Sequence, residues 1–193
     1  MGYTAFNMAA SIAEGTTGVA LTYDSEHRRI QQSVTVGGAA TTTTYLNDPA
    51  AEVMNEMVVA GGVTTWKSYI VADGKIVAQR AVTGSTVTMD YFVPDHLGSV
   101  AVITDSTGSP TTAIHQFYDA RGKERNASGT PDTTCSLPPA SPSTRGYTNQ
   151  EEMPSICLVN YNARIYDPAI GRFMSADDVI PDAYQGQSYN RYT

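Results

Sequence analysis

The side chains with the clearest potential for chemistry are two adjacent carboxylates, Asp177 and Asp178. Acid–base catalysis by a carboxyl pair needs two nearby groups, one ionised as the base and one protonated as the acid. Residues adjacent in a strand, however, point to opposite faces of a sheet. The sequence therefore favours a structural role, in which Asp177 caps a turn and pairs with Arg172.

A second candidate is the group formed by Asp95, His96 and Ser99, which has the residue types of a hydrolase triad. The Gly-x-Ser-x-Gly elbow that exposes a nucleophilic serine between a strand and a helix does not surround Ser99. We therefore expect His96 to lie in a turn and to bond to the backbone. The sequence shows no metal-ligand spacing and no glycine-rich phosphate loop, so we predict no metal, no cofactor and no enzymatic activity.

Charge and composition disfavour several classes of partner. The chain has 12 basic and 19 acidic residues and a net charge of −7, whereas nucleic-acid binding needs clustered positive charge. No run approaches the roughly 20 apolar residues of a membrane-spanning helix, and no signal peptide is recognisable at the N-terminus. We expect neither nucleic-acid binding nor membrane insertion. The two cysteines, Cys135 and Cys157, are compatible with a disulfide or with two thiols.

Tyrosines recur at nearly regular spacing in the first two thirds of the chain. Tyr23, Tyr45, Tyr69, Tyr91 and Tyr118 are separated by 22, 24, 22 and 27 residues, and each closes a short run rich in Thr and Val. Dipeptides suited to tight hairpin turns lie between these runs. They are Gly37-Gly38, Asp73-Gly74, Gly84-Ser85 and Thr107-Gly108.

This pattern predicts an all-β fold, an antiparallel sheet of repeated β-hairpins with eight to ten strands. Because one hairpin alone is marginally stable in water, we expect the Tyr and Val positions to form one shared buried stripe. Trp66 is expected to anchor the core or a sheet face. The predicted strands cover residues 18–23, 30–36, 39–45, 63–69, 75–81, 86–92, 99–105 and 109–118.

Three regions follow from this reading. Residues 1–122 are predicted to form the hairpin repeats, and residues 123–144, rich in Pro, Ser and Thr, a long loop. Residues 145–193 are predicted to form an irregular C-terminal cap, because repeat arrays need an atypical end unit. Short strands are expected in the cap at residues 145–148, 156–160 and 164–167.

Several segments resemble the YD repeats and the repeat-associated core of the RHS family. They read DHLGSV at residues 95–100, FYDARGK at 117–123, GYTNQE at 146–151, NARIYDP at 162–168 and GRFMSAD at 171–177. The resemblance covers essentially the whole chain, and the string from residue 162 to residue 177 is its most specific part. The structural motif positions are Tyr23, Asp24, Tyr45, Tyr69, Tyr91, Asp95, His96, Leu97, Gly98, Tyr118, Asp119, Asn162, Arg164, Tyr166, Asp167, Pro168, Gly171, Arg172 and Phe173.

The resemblance implies a function. RHS proteins, their relatives in insecticidal toxin complexes and animal teneurins form hollow β-shells, and in bacterial members the core seals the shell ahead of a variable toxin. It therefore implies a non-catalytic scaffold, a fragment of a secreted or cell-surface shell that encapsulates or delivers a toxin. The implied partner is the remaining shell or the toxin segment.

Two alternatives stay open. Unpaired edge strands could bind identical copies or another partner. The chain could also be the remnant of an aspartyl autoprotease, since family cores carry Asp-Pro after the GRF segment and a second Asp-Pro box at the cleavage point. Here Asp178 stands at the first proline position and the second box does not occur before Thr193. Asp177 and Arg172 are therefore only weak autoprotease candidates.

Overall fold

The computed structural model describes residues 1–47, 54–133, 141–180, 182 and 184–193. It is all-β, and its largest element is an antiparallel sheet of eleven strands in which neighbours in sequence are neighbours in space. In chain order these are β1 (Gly2–Tyr3), β2 (Ala9–Glu14), β3 (Thr17–Tyr23), β4 (Arg29–Val36), β5 (Ala39–Tyr45), β6 (Met54–Ala60), β7 (Val63–Ala72), β8 (Lys75–Thr83), β9 (Thr86–Pro94), β10 (Val100–Asp105) and β11 (Ile114–His115).

The predicted antiparallel hairpin sheet is confirmed, with eleven strands where about eight to ten were predicted. Gly37 and Gly38 have φ angles of +56° and +89°, and Asp73 and Gly74 have φ angles of +52° and +68°. Such left-handed backbone suits two-residue hairpins, and glycine adopts it without steric cost. Local turn chemistry thus sets the meander.

Two smaller sheets follow. β12 (Phe117–Tyr118) pairs with β13 (Glu124–Arg125), and β14 (Glu151–Met153), β15 (Leu158–Asn160), β16 (Ile165–Asp167) and β17 (Arg172–Phe173) form a four-stranded sheet. Within the described residues, 3-10 turns lie at Tyr147–Asn149, Pro154–Ile156 and Gly186–Tyr189. No helix within the described ranges has the length and apolar character to cross a membrane.

Several predicted boundaries were wrong. β6 was not predicted, because Glu56 occupies a position where alternation demands an apolar residue. Of the strand predicted at residues 109–118, only β11 and β12 are extended, and the turn before them has the N–H of Thr112 donating to the carbonyl of Ser109 at 3.2 Å. The predicted strand at residues 145–148 reduces to one isolated bridge, between Arg145 and Glu151.

Some sequence predictions concern residues outside the described ranges. These residues are Cys135, one of the two cysteines of the possible disulfide, and Pro138 and Pro139 of the predicted loop.

The four-stranded sheet and its connecting turns, which we call the cap, pack on one face of the large sheet. We call this the covered face. Apolar residues from both sheets form one buried cluster there: Ala9, Ile12, Val19 and Leu21 from the large sheet, and Met153, Ile156, Leu158 and Ile165 from the cap. A second cluster, built around Tyr69, Phe92 and Ile103, lies farther along the sheet. The cap therefore closes a core that the large sheet cannot close alone.

The prediction that the tyrosines form one continuous buried stripe was only partly right. Tyr45 and Tyr69 lie on the covered face and are 6% and 7% exposed, but Tyr91 is 43% exposed. Trp66 is not in the core, since it is 47% exposed. Both lie on the opposite face because strand alternation places them there. Tyr23 is half-buried and donates from its hydroxyl to the carbonyl of Ala9 at 2.7 Å.

Candidate functional site

The motif aspartate Asp95 builds a five-residue turn between β9 and β10. Its N–H donates to the carbonyl of Ser99 at 2.9 Å, and its Oδ1 accepts from the N–H groups of Leu97 and Ser99, each at 2.8 Å. Gly98 has a φ of +84°, which the turn requires at its fourth residue. His96 is the exposed second residue of this turn.

The Asp95 turn accounts for the triad-like residues without catalysis. Ser99 is 0% exposed, and its Oγ accepts a hydrogen bond from the N–H of Thr148 at 3.1 Å. A nucleophilic serine needs an accessible hydroxyl with a base beside it. Ser99 instead links the β9–β10 turn to the segment that precedes β14.

Asp24 and Asp119 build the same turn. Asp24 Oδ1 accepts from the N–H of Glu26 and the N–H of Arg28, both at 2.9 Å. Asp119 Oδ1 accepts from the N–H of Arg121 at 2.8 Å and from the N–H of Lys123 at 3.0 Å. The Tyr-Asp dipeptide therefore ends a strand with its tyrosine and caps the next turn with its aspartate.

We expect Asp95→Ala to lower the free energy of unfolding by about 1–2 kcal/mol, because two backbone N–H groups lose their acceptor. Asp95→Asn keeps an acceptor oxygen and should cost less at neutral pH. Burial opposes the charge of Asp95, but the N–H groups of Ser99 and Leu97 outweigh it and hold its pKa below the ordinary 3.8. The contribution of the Asp95 charge to the free energy of unfolding is therefore present above that pH and is lost as the pH falls below it.

Urea unfolding of the wild type, D95A and D95N at neutral and acidic pH checks this prediction. If D95A and D95N lowered the free energy of unfolding equally at neutral pH, the side-chain acceptor at position 95 would not contribute to stability.

A buried charge network ties the cap to the covered face, and its first half centres on Glu151 in β14. Arg29 donates from Nη2 to Glu151 Oε2, and Tyr45 donates from its hydroxyl to Glu151 Oε1 at 2.7 Å. The Arg29 guanidinium lies 4.1 Å from the centroid of the Tyr45 ring. The side chains of Arg29 and Glu151 are only 5% and 4% exposed, so the ion pair is removed from water.

The second half of the network centres on Glu56 in β6. Arg145 donates from Nη2 to Glu56 Oε1 at 3.2 Å, and Tyr69 donates from its hydroxyl to Glu56 Oε2 at 3.1 Å. The Arg145 guanidinium lies 5.1 Å from the centroid of the Tyr69 ring. Each half thus has one Tyr, one Arg and one Glu, and in each the Tyr belongs to the large sheet.

The backbone near the cap is held from the same face. Lys67 Nζ and Gln79 Nε2 both donate to the carbonyl of Pro142, at 2.8 Å and 3.1 Å. Lys67 lies directly opposite Glu56 in the β6–β7 register, and Glu56 lies directly opposite Tyr45 in the β5–β6 register. One cross-strand row therefore supplies much of the network.

The two acids differ electrostatically. Burial opposes ionisation of Glu151, but the charges of Arg29 and Arg145 outweigh it and hold the Glu151 pKa below its ordinary value. Burial, followed by the charge of Glu151, raises the pKa of Glu56. Burial lowers the pKa of Lys67. Glu151 is therefore the acid whose charge the site is built to hold.

The network is suited to positioning the cap. In each of the two carboxylates, one oxygen accepts from a tyrosine hydroxyl and the other from an arginine of this chain. Buried ion pairs seldom add stability over apolar packing, but they can select one docking arrangement. The sequence did not predict the network. The available signal was a charged residue, Glu56, within an apolar strand pattern.

The C-terminal motif forms an aromatic cluster around Arg164. The guanidinium of Arg164 lies 3.8 Å from the centroid of the Phe173 ring. The rings of Tyr161, Tyr166 and Phe173 meet edge to face, with centroids 5.4–5.6 Å apart. The hydroxyl of Tyr166 donates to the carbonyl of Arg121 at 2.9 Å, so this cluster also reaches the β12–β13 turn.

The remaining motif residues shape the turn between β16 and β17. Asp167 Oδ1 accepts from the N–H of Ala169, and the Asp167 carbonyl accepts from the N–H of Gly171, each at 2.8 Å. Pro168 is buried within this turn, and Gly171 ends it with a φ of +67°. Asn162 takes a φ of +65° just before β16. These motif residues therefore determine the backbone conformation on either side of β16.

The expected pairing of Asp177 with Arg172 is wrong. Asp177 Oδ2 lies 2.9 Å from Nη2 of Arg164, while Arg172 donates to Asn190 Oδ1 at 3.3 Å. The Phe173 ring holds Arg164 beside Asp177, whereas Arg172 is exposed on β17. Asp177 Oδ1 accepts from the N–H of Val179 at 3.0 Å, which is the turn cap that the sequence suggested.

The neighbouring Asp178 bonds to a different element. Its Oδ1 accepts from Nδ2 of Asn7 at 3.1 Å. No set of three or more His, Cys, Asp and Glu side chains in the described ranges is arranged to hold a metal ion.

The fold and the site together define an all-β protein in which a capped antiparallel meander is held by a buried charge network. No family model matches the chain, and no curated protein matches it. Solved structures do match it: crystal structures of TcdB2-TccC3 chains share the fold.

The crystal structure of TcdB2-TccC3-Cdc42 matches with a TM-score of 0.67 and 18% identity, over 96% of this chain and 9% of that one. The structure of TcdB2-TccC3-TEV matches with a TM-score of 0.65 and 16% identity, over 92% and 9%. The structure of TcdB2-TccC3 without its hypervariable C-terminal region matches with a TM-score of 0.65 and 17% identity, over 92% and 9%. This chain therefore spans about a tenth of their length, and the likeness at such identity concerns the fold.

Proposed function

We propose that this chain is a non-catalytic scaffold segment of an RHS-type β-shell that encloses or delivers a toxin polypeptide. The observation that carries the proposal is the charge network that joins the covered face to the cap. It uses Tyr45 and Tyr69 from the repeat, and Arg145 and Glu151 from the core-like segment. A shell wall built from repeats needs an atypical end unit that covers its terminal core, and the cap of this chain is joined to the repeat strands in that way.

The fold comparisons support this role. The chain aligns along 89–96% of its length with 8–9% of each TcdB2-TccC3 chain, so it has the size of one segment of a much larger sheet structure. The DHLGSV and NARIYDP motifs shape turns and packing rather than a reactive site. A secreted or cell-surface setting accompanies the proposal through the same resemblance.

The proposed partner is the remainder of a shell, bound at the ends of the large sheet. β1 and β11 form those ends, and each is a strand of two residues. Very short edge strands discourage indiscriminate pairing between copies. We therefore favour a dedicated shell partner over identical copies or another protein.

A segment exchange tests the function. This chain would replace the structurally aligned segment of the TcdB2-TccC3 chain. We expect the chimera to purify as one particle of the parental size and to shield the polypeptide that follows from added protease. The matched control is the same chimera carrying Glu151→Ala, in which the cap is loosened and shielding should fall.

Two outcomes would contradict the scaffold role. One is a folded chimera that leaves the following polypeptide as sensitive to protease as a free peptide. The other is a concentration-dependent oligomer of the isolated chain in size-exclusion chromatography with light scattering, which would favour association between copies.

A further inference from the structure

The β12–β13 hairpin docks on the cap through two glycines. The Tyr147 ring lies against the backbone of Gly122, so closely that a Cβ there would overlap the ring. At Gly146, a Cβ would lie 2.5 Å from Glu152 Oε1 and 2.6 Å from the Tyr118 hydroxyl oxygen. The Tyr147 hydroxyl also donates to the carbonyl of Ala120 at 3.3 Å. The contact is therefore tight and involves the backbone of both partners.

Two acids lie on opposite sides of this contact, Glu124 on β13 and Glu152 on β14. Glu152 Oε1 accepts from the N–H of Tyr147 at 2.9 Å. Among the described residues, Glu124 Oε1 and the Tyr118 hydroxyl are buried and have no hydrogen-bond partner. A small cavity of about 30 Å³ lies beside both acids and is also lined by Asp132 and Lys123.

We propose that this contact is a proton-dependent latch, in which protonated Glu152 keeps the β12–β13 hairpin docked and its ionisation beside Glu124 releases the hairpin from the cap. The charge network of Arg29, Glu151, Glu56 and Arg145 lies outside this contact. Opening the latch would free one side of the cap while that network still holds the other.

The surroundings of Glu152 favour its neutral form. Burial raises the pKa of Glu152 to about 8; the N–H of Tyr147 opposes this effect and the charge of Glu124 adds to it. Burial, followed by the charge of Asp132, raises the pKa of Glu124 to about 7. Both values lie above the ordinary 4.5. The docked state is therefore fully favoured below that value and loses stability as the pH rises toward 8.

The groups that face the latch from each packed element are mostly acidic or phenolic. They are Tyr118 from β12, Glu124 from β13, Lys123 and Asp132 from the flanking segments, Asp95 from the β9–β10 turn, Tyr147 before β14 and Tyr161 after β15. One lysine stands among three acids besides Glu152. A second negative charge in this space is therefore repelled rather than neutralised.

Hydrogen exchange followed by mass spectrometry tests the latch on the full chain. After correction for intrinsic rates, protection of residues 117–125 should fall about tenfold or more between about pH 6 and about pH 9. Glu152→Gln should hold that protection within about threefold over the same range, because it mimics the protonated acid. Glu124→Gln provides a second variant and should weaken the pH dependence.

Glu26→Gln is the matched control, since Glu26 is exposed and pairs with Arg28 in a distant turn. It should leave the wild-type profile unchanged. The proposal is overturned by a wild-type profile without pH dependence, by E152Q that keeps the full dependence, or by equal loss of protection in β6 and β7, which would indicate global unfolding.

Discussion

Glu151→Ala is expected to lower the free energy of unfolding by about 3–5 kcal/mol, because it leaves the Arg29 guanidinium buried without its counter-charge. The same change removes the acceptor of the Tyr45 hydroxyl, which lies 2.7 Å from Glu151 Oε1. Both groups are largely removed from water, since the Arg29 side chain is 5% exposed and Tyr45 is 6% exposed. We expect a lower urea midpoint and loss of the cooperative docking of β14 to β17.

The controls separate a broken ion pair from a lost contact. Arg29→Met combined with Glu151→Leu removes both charges and fills similar volume, and it should recover most of the stability. Glu26→Ala removes an exposed partner of Arg28 and should change the free energy of unfolding by about 0.5 kcal/mol or less. If E151A and the double variant were equally destabilised, packing and not charge would hold the cap.

Gly122→Ala should be the most damaging of the turn substitutions. Gly122 has a φ of +85°, and left-handed backbone costs a residue with a Cβ about 1–2 kcal/mol. The new methyl group would also overlap the Tyr147 ring. Overpacking of this kind adds about 1–3 kcal/mol. Urea unfolding and the hydrogen-exchange protection of residues 117–125 measure the two consequences.

Gly98→Ala is the matched control for this substitution. Gly98 occupies the fourth position of the equivalent turn with a φ of +84°, and a Cβ there meets nothing within 4 Å. It should therefore show the backbone cost alone. Equal effects of G122A and G98A would show that the Tyr147 contact adds nothing to docking.

The hairpin sheet was predictable from local sequence. Gly37-Gly38 and Asp73-Gly74 favour tight turns whatever surrounds them, and the β-branched runs between such turns favour extended backbone. β5 (Ala39–Tyr45) was predicted with the bounds that the structure has. Asp24 and Asp95 cap their own turns within four residues, so these motif aspartates also act locally.

The candidate site was not predictable in the same way. Tyr45 and Glu151 are 106 residues apart, and Arg145 and Glu56 are 89 residues apart. No local pattern encodes which charges meet over such separations. Strand register also decided which tyrosines are buried, because a shift of one residue turns a side chain to the opposite face of the sheet. Tyr69 is buried on the covered face, whereas Tyr91 is exposed on the opposite face.

The sequence by itself determined most strands of the large sheet and the tight turns between them, since these depend on backbone preferences within a few residues. Only the tertiary structure decided which acids are buried, which arginines neutralise them and which face the cap covers. The physical reason is that a buried charge is stable only where a distant segment supplies its counter-charge and excludes water. Glu151 acquires that environment when β14 docks on the covered face.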